Sequence, residues 1–245
     1  MSIADRKERE KERRRTEIID VAEKLFIQKG FDGVSVEDVA REAELASGTL
    51  YLYFRNKEAL YYAVVLRGAR IMNDMFRDAV SKGDSGAEKL LSVGRAFYAF
   101  SQQYPEYYKM FLYAQTPRFS VRDEHVEAVE AIGRENFGIM CSCILEGASD
   151  GSLRPDIDPV MTTWFLMLST QSVVNHTPSV CTTMEGQGIS HPDFVEYSLD
   201  LMLKSLILPR PGGKNHEDTN YLRICTSRQY QKGSRQHGRP SQGRS

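Results

Sequence analysis

The chain has 245 residues, 41% hydrophobic and 10% aromatic, enough to bury one large core or two small ones. Its formal net charge of −1 gives no argument for a nucleic-acid partner, and the first sixty residues carry twelve basic side chains against thirteen acidic ones. The charged start "MSIADRKEREKERRR" has no apolar signal core and the run "WFLML" is too short to span a bilayer, so a soluble cytoplasmic protein is expected, its four cysteines reduced.

In chain order the dominant period is helical. "TEIIDVAEKLFIQKG" places Ile18, Ala22, Leu25 and Phe26 on one stripe and ends at Gly30, a suitable left-handed C-cap. A second helix starts after Gly33, with Ser35 as N-cap and Asp38 three residues on as a shortened capping box. A short third helix opens at Ala46 or Ser47 and ends near Phe54, and Asn56 caps a longer one from Lys57 to about Ser81. After the break "KGDSGAE" come "KLLSVGRAFYAFSQQY", a helix from Pro105, and a long segment from Val121 to about Gly147. "GASDGSLRPDIDP" reads as a loop, and Asp158 caps a helix from Pro159 to about His176. "GQGISHPDF" then leads into a last helix through Leu208. Residues 210–245 hold eight Lys/Arg against Glu217 and Asp218 and few apolar residues, a basic tail expected to be disordered. Nothing alternates at period two, so the fold class is all-α, with about nine helices.

Residues 36–54 fit a helix-turn-helix. Val39, Ala40, Ala43, Leu45, Leu50 and Tyr53 fall where two short crossing helices need apolar or small residues, and Ala40 leaves room for the second helix to approach. "SVEDVAREAELASGTLYLYFRNKEAL", preceded by an amphipathic helix ending in "KGFDGVSV", resembles the DNA-binding domain of the TetR (tetracycline-repressor) family over about residues 13–62. The most specific part is "GTLYLYFRNKEAL". The resemblance implies an all-helical homodimer. Residues 1–60 would form a three-helix DNA-binding domain, and residues 61–209 a divergent helical bundle that binds an effector and dimerises through a four-helix interface.

Two positions depart from the family pattern. Glu44 stands where Gly is usual, and a left-handed backbone there costs about 1 kcal/mol, so a differently wound turn is expected. Ala46 replaces the usual Ser or Thr cap, a loss of about 1 kcal/mol unless Ser47 takes over.

Carried over residue by residue, the resemblance presents Ser47, Gly48, Thr49, Tyr51, Leu52 and Tyr53 to DNA. Gly48 lets the backbone approach closely, the Thr49 and Tyr51 hydroxyls suit phosphate oxygens, and Leu52 can touch only a thymine methyl. Ser35 and Lys57, each at a helix N-terminus, suit phosphate. Leu50 and Phe54 belong to the core, and Tyr53 suits either side. The Arg13–Arg15 cluster suits contact with the DNA backbone or minor groove, but the interleaved Glu8, Glu10 and Glu12 argue that much of this arm is a solvated, internally paired helix extension.

The stretch "AFYAFSQQYPEYYKMFLYAQ" holds more tyrosine than a core alone needs. It suggests an apolar pocket with hydroxyl handles, with Phe100, Tyr104, Tyr108 and Phe111 as candidate effector contacts and Phe137, Met140 and Trp164 adding to the wall. Core packing is the competing role for each. The last two helices are apolar on more than one face, which fits a two-fold helical interface or a buried hairpin.

No metal-ligand spacing, phosphate loop or nucleophile elbow occurs, so no catalytic residue, metal or cofactor is expected. The sequence therefore points to a ligand-responsive transcriptional regulator, a repressor released from a palindromic double-stranded DNA operator by a hydrophobic or aromatic small molecule. The alternative is an all-helical small-molecule-binding or interaction protein without sequence-specific DNA binding.

Overall fold

The capping and spacing signals of the chain become ten helices in a computed structural model that describes residues 3–116 and 123–207; among them there is no strand. Helix α1 (Ile3–Lys29) begins inside the charged arm. Arg13 pairs with Glu10 at 2.5 Å and Arg14 with Glu17 at 3.1 Å, so the arm is held as a solvated helix by its own ion pairs. Gly30, at φ +70°, ends it.

Helices α2 (Val36–Glu42), α3 (Ser47–Leu50) and the start of α4 (Lys57–Ser81) close over the α1 stripe. Ile18, Ala22, Val39, Leu50, Phe54 and Leu60 are essentially inaccessible there. Fully burying each large apolar side chain contributes about 1.5–3 kcal/mol, and this small core has few to lose.

α4 is about 37 Å long at 1.5 Å per residue and belongs to two cores. Its second half, with Met72 and Phe76, packs with α5 (Gly86–Gln103), α7 (Glu124–Asp150), α8 (Pro159–Val174) and α10 (His191–Leu206). Tyr61 and Tyr62 of α4 donate to the carbonyls of Met110 and Ala114 at 3.2 and 3.0 Å, which ties α6 (Pro105–Ala114) to the same helix.

The loop expected from "GASD" is instead the last turn of α7. Gly86 crosses α7 so closely that a Cβ there would lie 2.1 Å from Gly147 N, and Gly86 N–H donates to Asp150 Oδ2 at 2.8 Å. Gly147 is thus a contact glycine, and the helix stops at Gly151, φ +78°. A further helix, α9 (Pro178–Glu185), raises the expected nine to ten. It buries no residue fully, and its signal is the Thr177 cap with Pro178 at the first position.

The basic tail, residues 210–245, the expected helix start at Val121 and helix end at Leu208, and Cys225 all lie outside the described residues. Cys143 is buried, which pushes its thiol up to about 11, well away from thiolate chemistry.

Candidate nucleic-acid interface and effector cavity

The geometry of the helix-turn-helix follows from its caps. Ser35 Oγ accepts from Asp38 N–H at 3.0 Å, and Ser35 N–H donates to Asp38 Oδ2 at 3.0 Å, a complete capping box. The Ser35 hydroxyl and backbone, then Arg41, hold the Asp38 carboxyl down at about 2. The Ser35 hydroxyl also donates to Asp38 at 2.7 Å, so this side chain is engaged within the capping box.

α2 ends in a Schellman motif: Leu45 N–H reaches Ala40 O at 2.8 Å and Glu44 N–H reaches Arg41 O at 3.2 Å. Glu44 sits at φ +54°. The turn is therefore wound left-handed at a non-glycine residue, and the differently wound turn expected from the sequence is not formed. Two hydrogen bonds and the burial of neighbouring Val39 and Ala40 outweigh a backbone cost of about 1 kcal/mol.

α3 is a single α-turn, extended to Phe54 by turns in which Tyr53 and Phe54 N–H both reach Leu50 O. Ala46 occupies the N-cap with no side-chain hydrogen bond, and Ser47 does not replace it. Leu50 and Phe54 anchor this segment, at 0% and 1% exposure. That rotation puts Gly48, Tyr51 and Leu52 outside, Leu52 at 79% exposure, with Ser47 and Thr49 half-buried beside them. A Cβ built on Gly48 meets nothing within 4 Å, so no packing inside the chain requires glycine there.

Tyr53 and Lys57 turn inward. Tyr53 is half-buried against the small core. Lys57 Nζ donates to the carbonyls of Phe31 and Val34 at 2.9 and 3.0 Å and sits 4.1 Å from the Phe31 ring centroid. Two of its three protons thus hold the α1–α2 loop against the start of α4.

Between α4, α5, α7 and α8 lies a cavity of about 110 Å³ whose wall is nearly all apolar, with Met72, Phe97, Phe111, Ile132, Met140 and Met167 prominent. Of the seven candidate effector contacts, Phe111 and Met140 line it. The other five do not line it. Phe100 is core, and Tyr104 is the partly exposed junction of α5 and α6. Tyr108 lies behind Phe97, rings edge-on at 5.7 Å, with its hydroxyl unpartnered and pushed up to about 12 by burial. Phe137 and Trp164 meet at 5.2 Å away from the cavity, and Trp164 is half exposed on α8. Aromatic content marked the region, but helix rotation decided which rings reach the void.

Residues that sequence reasoning missed link the two cores. Arg15 stacks over Phe54 at 5.5 Å, bonds Glu124, and lies 2.6 Å from His125 Nε2. A guanidinium can only donate, so Nε2 accepts and Nδ1 gives its proton to Asp123 Oδ1 at 2.6 Å. Arg67 of α4 clasps Asp20 and Glu23 of α1 at 2.6 and 2.7 Å. Partners from about forty to more than a hundred positions apart leave no local signal.

Among known proteins, residues 18–64 match the bacterial regulatory proteins of the tetR family. The HTH-type transcriptional repressor KstR2 of Rhodococcus jostii is 30% identical over 157 residues, covering 62% of this chain and 74% of that protein. The HTH-type transcriptional regulator UidR of Escherichia coli is 24% identical over 177 residues, 70% of this chain and 85% of the other. In fold, the chain is similar to the ketosteroid transcriptional regulator KstR2 of Mycobacterium tuberculosis, with TM-score 0.58, 19% identity, and coverage of 80% of this chain and 96% of that one. It is equally similar to the regulator FadR of Bacillus subtilis in complex with stearoyl-CoA, with TM-score 0.59, 19% identity, and coverage of 78% and 98%.

Proposed function

The chain belongs to the TetR family of bacterial transcriptional regulators, and from that premise we propose how its residues divide the work of holding an operator and sensing an effector. It is a ligand-responsive, DNA-binding regulator of the repressor type. The observation that carries the DNA-binding assignment is the outward set Gly48, Tyr51 and Leu52 on a turn anchored from behind by Leu50 and Phe54. Thr49 and Tyr51 hydroxyls hold phosphate, and Leu52 and the bare backbone at Gly48 meet base edges in the major groove. Ser47 contributes at the helix start. Ser35, Tyr53 and Lys57 fix the position of this surface from within the chain.

Residues 1–60 act as the DNA-binding domain and 61–209 as the effector and dimerisation domain, with α4 shared between them. On α8, Met161, Trp164, Phe165 and Leu168 expose a stripe at three- and four-residue steps, and Tyr197 and Leu201 continue it on α10. A monomer gains nothing from that surface, whereas two copies of the helix pair bury it around a two-fold axis. The dimer would set two α3 segments about 34 Å apart on a palindromic operator in the cytoplasm.

The cavity is the effector site in this reading, and its apolar wall suits a hydrophobic molecule. One fold neighbour is described as a ketosteroid regulator and another holds stearoyl-CoA, whose acyl chain is apolar although its CoA part is charged. An effector larger than the present void opens its walls. One wall is α4, whose first residue, Lys57, grips the loop before α2. Opening therefore shifts the population toward a spacing of α3 segments that no longer fits DNA.

Fluorescence anisotropy with DNA from the gene's own upstream region tests this. Tyr51→Ala lowers affinity about tenfold, a loss of about 1.4 kcal/mol. Leu168→Glu converts the dimer to monomer in sedimentation and weakens operator binding with it. Failure of the wild-type protein to bind that DNA at low salt refutes the assignment.

A further inference from the structure

Among the described residues lining the cavity none is charged, and the polar ones are Asn136, Thr170 and Gln171. Thr170 Oγ1 is 3.9 Å from Met202 Sδ, and Gln171 Nε2 donates to Gln115 Oε1 at 3.4 Å. Asn136 is different. It is 3% exposed, its Oδ1 accepts from Asn73 Nδ2 at 2.8 Å, and its Nδ2 is buried with no partner. Buried amide donors are almost always met, by protein, water or ligand.

Its neighbours fix which way the amide faces. In the 2.8 Å bond between the two amides it is Asn73 Nδ2 that donates. Asn136 answers with oxygen, and its own nitrogen is left over.

We propose, resting on the effector-site reading above, that the cavity selects uncharged, mainly apolar ligands carrying one carbonyl oxygen, which Asn136 Nδ2 receives. Asn73 acts as the positioning residue. An anion finds no cation in the wall and is rejected by the cost of desolvating it.

The probes are acetophenone, α-methylstyrene, which has the same shape with C=CH2 in place of C=O, and benzoate. A cavity of about 150 Å³ in another protein takes benzene; the void here is about 110 Å³, so these single-ring probes are chosen as small carriers of the carbonyl and enter as the walls open. Titration of methyl-labelled methionine signals locates and measures binding, since Met72, Met140 and Met167 line the cavity. Comparing the acetophenone to α-methylstyrene affinity ratio in wild type and in Asn136→Leu cancels the different hydration of the two probes. The ratio falls about five- to tenfold in the variant, as expected for one hydrogen bond to a buried donor. In wild type, which needs no variant to fold, the infrared carbonyl band of bound acetophenone lies below its position in hexane. Benzoate leaves the methionine signals unmoved.

A ratio unchanged within twofold, an unshifted carbonyl band, or benzoate binding as tightly as acetophenone overturns the inference while the effector site stands. If neither neutral probe moves the methionine signals, the effector-site reading fails and takes the inference with it.

Discussion

Replacing Lys57 by Met separates two roles that its position at a helix start leaves together. The ammonium makes two hydrogen bonds to loop carbonyls and one ring contact, while the stem is retained by methionine. Hydrogen bonds involving a charged group contribute about 1.5–3 kcal/mol each and an exposed cation–π contact about 0.5–1 kcal/mol. Lys57 is only half-buried, so the lower ends apply, and a total loss of about 3.5 kcal/mol is expected. For a chain of this size that is a fall of about 7–14 °C in Tm. If the residue also carried a full phosphate contact, the slope of log affinity against log salt would shrink by about 0.9. The expected result is the fall in Tm with the slope unchanged, from thermal melts by circular dichroism and anisotropy titrations between 50 and 200 mM salt. An unchanged Tm with a slope reduced by 0.9 would refute the internal clasp and return Lys57 to the phosphate surface.

Three further outcomes follow from the same group of helices. Gly48→Ala fills space that is empty in the free protein, so stability stays level or rises by about 0.4–1 kcal/mol while operator affinity falls; unchanged affinity would remove Gly48 from the interface. Glu44→Gly relieves the left-handed backbone and raises stability by about 1 kcal/mol in urea melts, and a decrease would mean that the glutamate side chain itself stabilises the turn. The folded-state pKa of Asp38 is depressed, so its contribution is present above the unfolded value near 3.9 and is lost as pH falls toward about 2. The stability gap between wild type and Asp38→Asn should therefore narrow across that window, and a gap that widens on acidification contradicts the capping-box assignment.

Much of the first sixty residues was legible because the signals are local. Ser35 and Asp38, Asn56 and Ala59, Leu50 and Phe54 act across three or four positions, and helical geometry alone puts such pairs together. The division of α3 into a packed face and an outward face follows from the same spacing. Lys57 was less legible. Its position at a helix start was plain, but the length of its side chain lets it fold back onto carbonyls twenty-three and twenty-six residues earlier.

In the larger half, composition marked where aromatic residues concentrate but not which of them face the cavity. A void is what packing leaves unfilled, and its wall depends on the rotation of four helices at once. That is why Phe111 and Met140 line it while Trp164 faces outward, and why Asn136, ordinary in sequence, holds the unpaired donor. The sequence by itself determined the order of nine of the ten described helices, most of their caps and the helix-turn-helix, since these depend on neighbours in the chain. Only the tertiary structure decided the left-handed Glu44, where a local backbone cost is balanced against two capping hydrogen bonds, and the Arg15–His125 link and the cavity, which depend on segments distant in sequence.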